Sequence, residues 1–196
     1  MIISIIGPPG SGKGTQAKLL SEKLGIPAIS TGKLFRQEFE AQTPEGIAAE
    51  KYWGKGKWVT AELTMKILKK RLDQADCQRG FILDGTPRKM GDIPLLEEYL
   101  SQKGQKIDLV LHLDTLDETC LSRITHRIFE ARERGEKVRE DEDPEEVRER
   151  LRQYHQTVRS VLKYFSERGT LRHINNEQPI ERVFEEIWSV VKALKE

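Results

Sequence analysis

The residues best suited to chemistry stand at the start of the chain, in Gly7-Pro-Pro-Gly-Ser-Gly-Lys-Gly-Thr15, directly behind the apolar run Ile2–Ile6. Gly7, Gly12 and Lys13 satisfy the phosphate-loop spacing of Gly, four residues, then Gly-Lys-Ser/Thr. Position 14 departs from it: a glycine stands there, and the hydroxyl arrives one residue late, as Thr15. An ordinary strand-to-helix turn with packing glycines is the competing reading. The buried strand before the loop and the helix-period pattern after it favour phosphate. Backbone N–H groups across Gly10, Ser11, Gly12, Lys13, Gly14 and Thr15 then gather at the positive end of a helix dipole, a geometry that binds phosphate. Lys13 adds a point charge for the distal phosphates, and Thr15 offers a hydroxyl to Mg²⁺ if the extra glycine shifts the loop by one.

Further polar groups recur at the ends of apolar runs. Asp84 closes "FILD" and precedes Gly85. A carboxylate at the carboxyl end of a strand, facing a phosphate loop, suits a hydrated Mg²⁺ held through water; a turn-forming Asp-Gly is the plainer account. Phosphoryl transfer needs cations converging on one place. Arg36 follows "STGKLF", Arg88 follows "DGTP", Arg123 and Arg127 lie four apart on one helix face, and Arg139 and Arg150 bracket "EDEDPEEV". Any one of these is by default a solvated surface group, and Arg150 has Glu146 one helical turn before it. The planar guanidinium fork nonetheless suits bidentate phosphate contact better than lysine does.

These groups need a scaffold, and the hydrophobic pattern supplies one. Residues 2–6, 28–30, 81–83, 109–113 and 171–174 read as buried strands. Residues 13–23, 61–74, 95–102, 117–127, 144–168 and 179–194 read as helices. The alternation predicts an α/β fold: a parallel sheet of these five strands, covered by helices on both faces. Two segments interrupt it. Residues 31–59 are helical without a strand, and "IFEARERGEKVREDED" at 128–143 is too charged for core. Both read as insertions at the carboxyl edge of the sheet, where ligands of such folds bind.

Composition narrows the function classes. The 196 residues suit one domain. Lys plus Arg is 33 against 32 Asp plus Glu, so no general basic excess points to nucleic acid. Cys77 and Cys120 lack metal-site spacing, and no run reaches membrane-spanning length, so the expectation is a cytoplasmic protein, monomeric by default, with no membrane partner. His112, His126, His155 and His173 form no metal-ligand cluster in sequence, and His112 reads as a satisfied core residue. Trp53, Trp58 and Trp188 read as packing residues, with Trp58 alone near the acceptor site.

"GPPGSGKGTQAKLL" resembles the adenylate kinases and their nucleoside-monophosphate kinase relatives, whose own pattern includes the Gly14-Thr15 variation. The resemblance continues in order through "ISTGKLFR", "GKWVTAEL", "GFILDGTPR", "DETCLSRITHR" and "VRERLRQYH", across essentially the whole chain. It implies a phosphate-loop NTPase fold with a monophosphate-binding insertion at 30–59 and a short lid at 127–143. The implied reaction is reversible transfer from ATP to AMP, with Mg²⁺. By the same resemblance, Arg36 and Arg88 hold the AMP phosphate. Thr31, Gly85, Thr86, Pro87, Lys57, Trp58, Val59 and Asp92 surround AMP. Arg123 stacks on the ATP base, Arg127, Arg139 and Arg150 clamp phosphates, and Gln178 joins the ATP site. The lid has no cysteines, so no structural zinc is expected.

Three departures from the family pattern bear on specificity. Lys33 stands where aspartate is usual, Thr86 replaces an aromatic, and Asp92 occupies the place of an adenine-reading glutamine. Asp92 either reads the base, which relaxes acceptor choice, or simply caps the helix that follows. Two other functions compete: a UMP/CMP kinase, disfavoured by Thr31, and a non-kinase nucleotide-binding regulator, which has no need of a second phosphate site at Arg36 and Arg88.

Overall fold

The computed structural model describes residues 1–53, 55–136 and 143–194. Strands β1 (Ile2–Ile6), β2 (Ala28–Ser30), β3 (Phe81–Asp84), β4 (Leu109–Asp114) and β5 (Leu171–Asn175) form a parallel sheet in the order β2-β3-β1-β4-β5. Around it pack α1 (Lys13–Leu24), α2 (Thr31–Glu40), α3 (Pro44–Trp53) and α4 (Ala61–Leu72). The chain continues through α5 (Asp92–Ser101), α6 (Asp117–Glu133), α7 (Pro144–Glu167) and α8 (Ile180–Ala193). No helix among the described residues is long and apolar enough to cross a membrane.

Side chains alternate across a strand, so a strand buried on both faces serves two cores. Ile2 and Ile6 join Leu83 and Val110 beneath α4, α5 and α7, with Leu68, Leu96 and Val161 among the contacts. Ile3 and Ile5 face the other way, with Leu111, against Leu20 of α1 and Ile187 of α8. Helix α7 shows how the pattern makes its element. Val147, Leu151, Tyr154, Val158, Val161 and Phe165 are buried at helical spacing, Asp143 Oδ1 accepts the Glu145 N–H at 2.9 Å, and Pro144 occupies the first turn. Helices α2 and α3 lack a strand, as expected, and share with α4 a small core of Phe35, Ala49, Val59 and Ile67.

The sheet order creates the site. From β1 the chain moves outward to β2, returns to β3, then crosses β1 to β4. The crevice at such a reversal lies at the carboxyl ends of the central strands, where the Gly7–Thr15 loop emerges.

Some boundaries differ from the sequence reading. Helix α6 does not stop at Arg127 but runs to Glu133, so the first residues of the charged 128–143 segment are helix, and Ala131 is buried. Ile124, Ile128 and Ala131 carry the apolar stripe past Arg127 at helical spacing, and the Arg and Glu residues between them are strong helix formers. Helix α5 begins three residues early, at Asp92, and α4 ends at Leu72. The rest of the expected lid, including Arg139, lies outside the described residues.

Candidate active site

The loop after β1 is held by its own backbone and by distant residues. Gly10 and Gly12 both adopt φ +86°, a left-handed conformation that favours glycine. At Gly10 a Cβ would also stand 2.6 Å from the Cys120 carbonyl oxygen of α6. Ser11 is buried, and its carbonyl accepts Asn176 Nδ2 at 2.7 Å and Arg123 Nη1 at 3.0 Å. Arg123 Nη2 also donates to the Asn176 carbonyl at 3.0 Å. Asn176 Nδ2 reaches Thr115 Oγ1 at 2.8 Å as well, so one buried amide ties the loop to the turns after β4 and β5. Sequence reasoning missed Asn176, since a single asparagine after a strand carries no periodic or spacing signal.

Lys13 Nζ reaches back over the loop and donates to Pro8 O at 2.8 Å and to Ser11 Oγ at 3.2 Å. Burial pushes its pKa down to about 8, with the Asp84 carboxylate opposing and the Arg88 and Arg150 charges adding to the fall. A lysine so placed is destabilised as a cation until an anion arrives, which is the electrostatics of a phosphate site.

The loop opens into a cleft of about 1130 Å³. Gly10, Gly12, Lys13, Gly14, Thr15 and Asp84 line one end. Asp84 Oδ2 lies 3.5 Å from where a Cβ on Gly14 would stand, so its carboxylate faces the first turn of α1. Arg36, Lys57, Trp58, Val59, Pro87 and Arg88 line the same cleft, as do Arg127, Arg150 and Tyr154. Lys33 and Trp53 also line the cleft, so Trp58 is not the sole tryptophan near it. Trp188 of α8 is partly buried and packs against the core.

Arg88 is held on three sides. Its Nε donates to Gly85 O at 2.7 Å, its Nη2 lies 3.4 Å from Thr31 Oγ1, and its guanidinium stands 4.7 Å from the Trp58 ring centroid. A Cβ on Gly32 would lie 3.7 Å from Arg36 Nη1 and 3.9 Å from Arg88 Nη2. Both guanidinium groups therefore crowd the amino end of α2, where the helix dipole adds positive potential.

Beside these arginines is a pocket of about 10 Å³, room for about one water, walled by Thr31, Phe35, Trp58, Val59, Thr86 and Asp92. Thr86 Oγ1 donates to Thr31 Oγ1 at 3.2 Å. Asp92 does not cap α5, because its carboxylate reaches backward instead: Oδ2 accepts the N–H of Arg88 at 2.8 Å and of Lys89 at 3.2 Å. Its Oδ1 is buried with no hydrogen-bond partner, and burial pushes its pKa above the usual range.

Two expected ATP residues stand apart from the cleft lining. Gln178 is engaged elsewhere, its Nε2 donating to Asn175 O at 3.0 Å and to Glu186 Oε2 at 3.2 Å. Arg123 lies beneath the loop on the carbonyl contacts given above. The four histidines are also not all separate, since pairing of β4 with β5 sets His112 beside His173.

A glycine loop between β1 and α1 of a parallel sheet, opening into a cleft that Arg36 and Arg88 also line, defines the phosphate-loop nucleotide-binding class. The chain belongs to the adenylate kinase family: the family model described as "Adenylate kinase" matches residues 5–170. It is 41% identical to the adenylate kinase of Pseudarthrobacter chlorophenolicus over 189 residues, 96% of this chain and 95% of the relative. The adenylate kinase of Azorhizobium caulinodans is 41% identical over 193 residues, 98% and 100% of the two chains. That of Archaeoglobus fulgidus is 38% identical over 216 aligned positions, covering both chains fully.

Proposed function

We propose that this chain transfers a phosphoryl group reversibly from ATP to AMP, giving two molecules of ADP. The observation that carries this reading is the pairing of cation sites across one cleft: Lys13 on the glycine loop, and Arg36 with Arg88 at the start of α2. A nucleotide switch needs one phosphate site, whereas a kinase of small phosphates needs two that face each other. Lys13 and the loop N–H groups hold the donor phosphates, and Arg36 and Arg88 fix the acceptor phosphate for in-line attack. Arg127 and Arg150 add positive charge to offset the negative charge on the transferred group.

Thr15 and Asp84 fit a hard divalent cation, since both are oxygen donors at the loop end of the cleft and Asp84 faces the first turn of α1. Thr15, and Asp84 through water, would hold Mg²⁺ there, and the ion would supply charge neutralisation for the donor phosphates. Residues 30–59 form the acceptor-binding insertion, and Thr31, Val59, Thr86 and Asp92 border the place of the acceptor base at the edge of the main cleft. The free, buried Cys77 and Cys120 suit a reducing cytoplasm.

Incubation with ATP, Mg²⁺ and each of AMP, CMP, UMP and GMP, followed by separation of the nucleotides, tests the proposal. AMP is expected to give ADP fastest. Release of inorganic phosphate with no diphosphate from any acceptor would overturn it.

A further inference from the structure

The parallel register of β4 and β5 sets His112 opposite His173, two residues before Asp114 and Asn175. These strands bring together three groups that sequence separation hides. His112 Nδ1 lies 2.7 Å from Asp114 Oδ1, His173 Nδ1 lies 2.9 Å from Asp114 Oδ2, and the two Nδ1 atoms are 3.4 Å apart. The rings meet edge to face at 86°, and the three distances leave both Nδ1 atoms beside the one carboxylate. A tetrahedral zinc site with bonds of about 2.0–2.1 Å separates its ligand atoms by roughly 3.3–3.4 Å. The nitrogen pair already stands at that spacing, and the carboxylate needs to withdraw by about half an ångström (from the distances given) to match it.

A second feature supports the same reading. His112 is buried, and its Nε2 lies 2.6 Å from the Tyr154 hydroxyl of α7. Metal-bound histidines characteristically engage their other ring nitrogen in this way, which fixes ring orientation and tautomer. A hydroxyl serves both tautomers, donating to a bare Nε2 or accepting from Nε2–H. Coordination at Nδ1 then needs no net loss of protons, because each neutral ring keeps one proton at Nε2. Asp114 and His173 are half-exposed, so an ion has an entry path and room for a water ligand. None of the three residues lines the nucleotide cleft, although Tyr154 does from its other side.

We propose that His112, Asp114 and His173 bind one divalent transition-metal ion of the zinc, cobalt or nickel type. Two imidazoles and one carboxylate favour such ions over Mg²⁺. The ion would fasten the carboxyl ends of β4 and β5 and, through Tyr154, the middle of α7, which carries Arg150 into the cleft.

Titration of the chelator-treated full chain with Co²⁺, without nucleotide, reads the site directly through its visible absorption. One ion per chain with a low-coordinate spectrum is expected. His173→Ala and Asp114→Asn change half-exposed groups and leave the fold intact; each is expected to weaken binding at least about 100-fold, and Tyr154→Phe about tenfold to 100-fold. His155→Ala, outside the cluster, is expected to keep full binding. Zn²⁺ at about 100 times Kd is expected to raise the wild-type Tm by roughly 5–10 °C and that of His173→Ala hardly at all. Wild-type binding that persists unchanged in His173→Ala and Asp114→Asn, or no stoichiometric binding at all, would show instead a hydrogen-bonded His–Asp–His network with no metal role.

Discussion

Asp92→Asn isolates the role of one buried carboxylate at the acceptor base. In the wild type, Oδ2 is occupied by the N–H groups of Arg88 and Lys89, at 2.8 and 3.2 Å, and Oδ1 has no partner in a pocket-lining residue. Those two backbone donors require an acceptor, so an asparagine must present its oxygen to them and its NH₂ to the pocket. The pocket atom thereby changes from acceptor to donor with little change of shape. Each backbone bond loses its charge assistance, about 1 kcal/mol apiece, but the burial penalty on the anion is relieved, so net stability should move by about 1 kcal/mol or less. Selectivity should move further. Adenine offers an amino donor to Oδ1, whereas hypoxanthine offers a carbonyl acceptor that matches the new NH₂. A buried mismatch costs about 1–3 kcal/mol, so the AMP-to-IMP ratio of kcat/KM should fall about tenfold to 100-fold. Steady-state kinetics at saturating ATP measure it. The stability curve carries an independent mark: burial raises the Asp92 pKa, so the folded state holds its proton more tightly than the unfolded one. Its contribution is therefore fully present below the usual 3.8 and is lost as pH rises through the raised value, a decline that Asp92→Asn should lack. A selectivity ratio unchanged within about twofold would refute the base-reading role and leave Asp92 as a fastener of the Arg88–Lys89 backbone.

Lys13, with its pKa lowered to about 8, should lose charge in the free enzyme above that pH, so ATP affinity in binding calorimetry should be flat from about pH 6.5 to 7.5 and then weaken by up to about tenfold per unit. Lys13→Met should remove that dependence and nearly all turnover, while raising the Tm of the free protein, because a partly desolvated cation is gone. Arg88→Ala should lower kcat/KM for AMP by on the order of 10³ with ATP affinity nearly unchanged, checked by kinetics beside calorimetry. Gly10→Ala should unfold at lower denaturant, by about 2 kcal/mol or more, since φ is +86° and the added Cβ meets the Cys120 carbonyl at 2.6 Å.

The elements and site residues set by local pattern are legible in the sequence alone. Ile2–Ile6 before the glycine loop, "FILD" ending at Asp84, and the apolar spacing of 144–168 each betray their element within a short window. Those that depend on register or reach are not. Asn176 meets Ser11 across 165 residues, and His112 meets His173 only because β4 and β5 pair at that offset. Asp92 has the chemistry of a helix cap, yet its carboxylate turns back to Arg88 and Lys89, a choice made by loop geometry. Helix α6 runs past Arg127 because Ile128 and Ala131 extend its packed face, a sparse apolar signal hidden among charged residues.

The central claim is direct transfer between two nucleotides held in one cleft, and the fate of the moving phosphoryl group tests it most directly. With ATP labelled in its γ-phosphate, Mg²⁺ and excess AMP, the label should appear in the β-phosphate of ADP, and ADP alone should regenerate ATP and AMP. Label recovered only as inorganic phosphate, at a rate indifferent to AMP, would contradict the account.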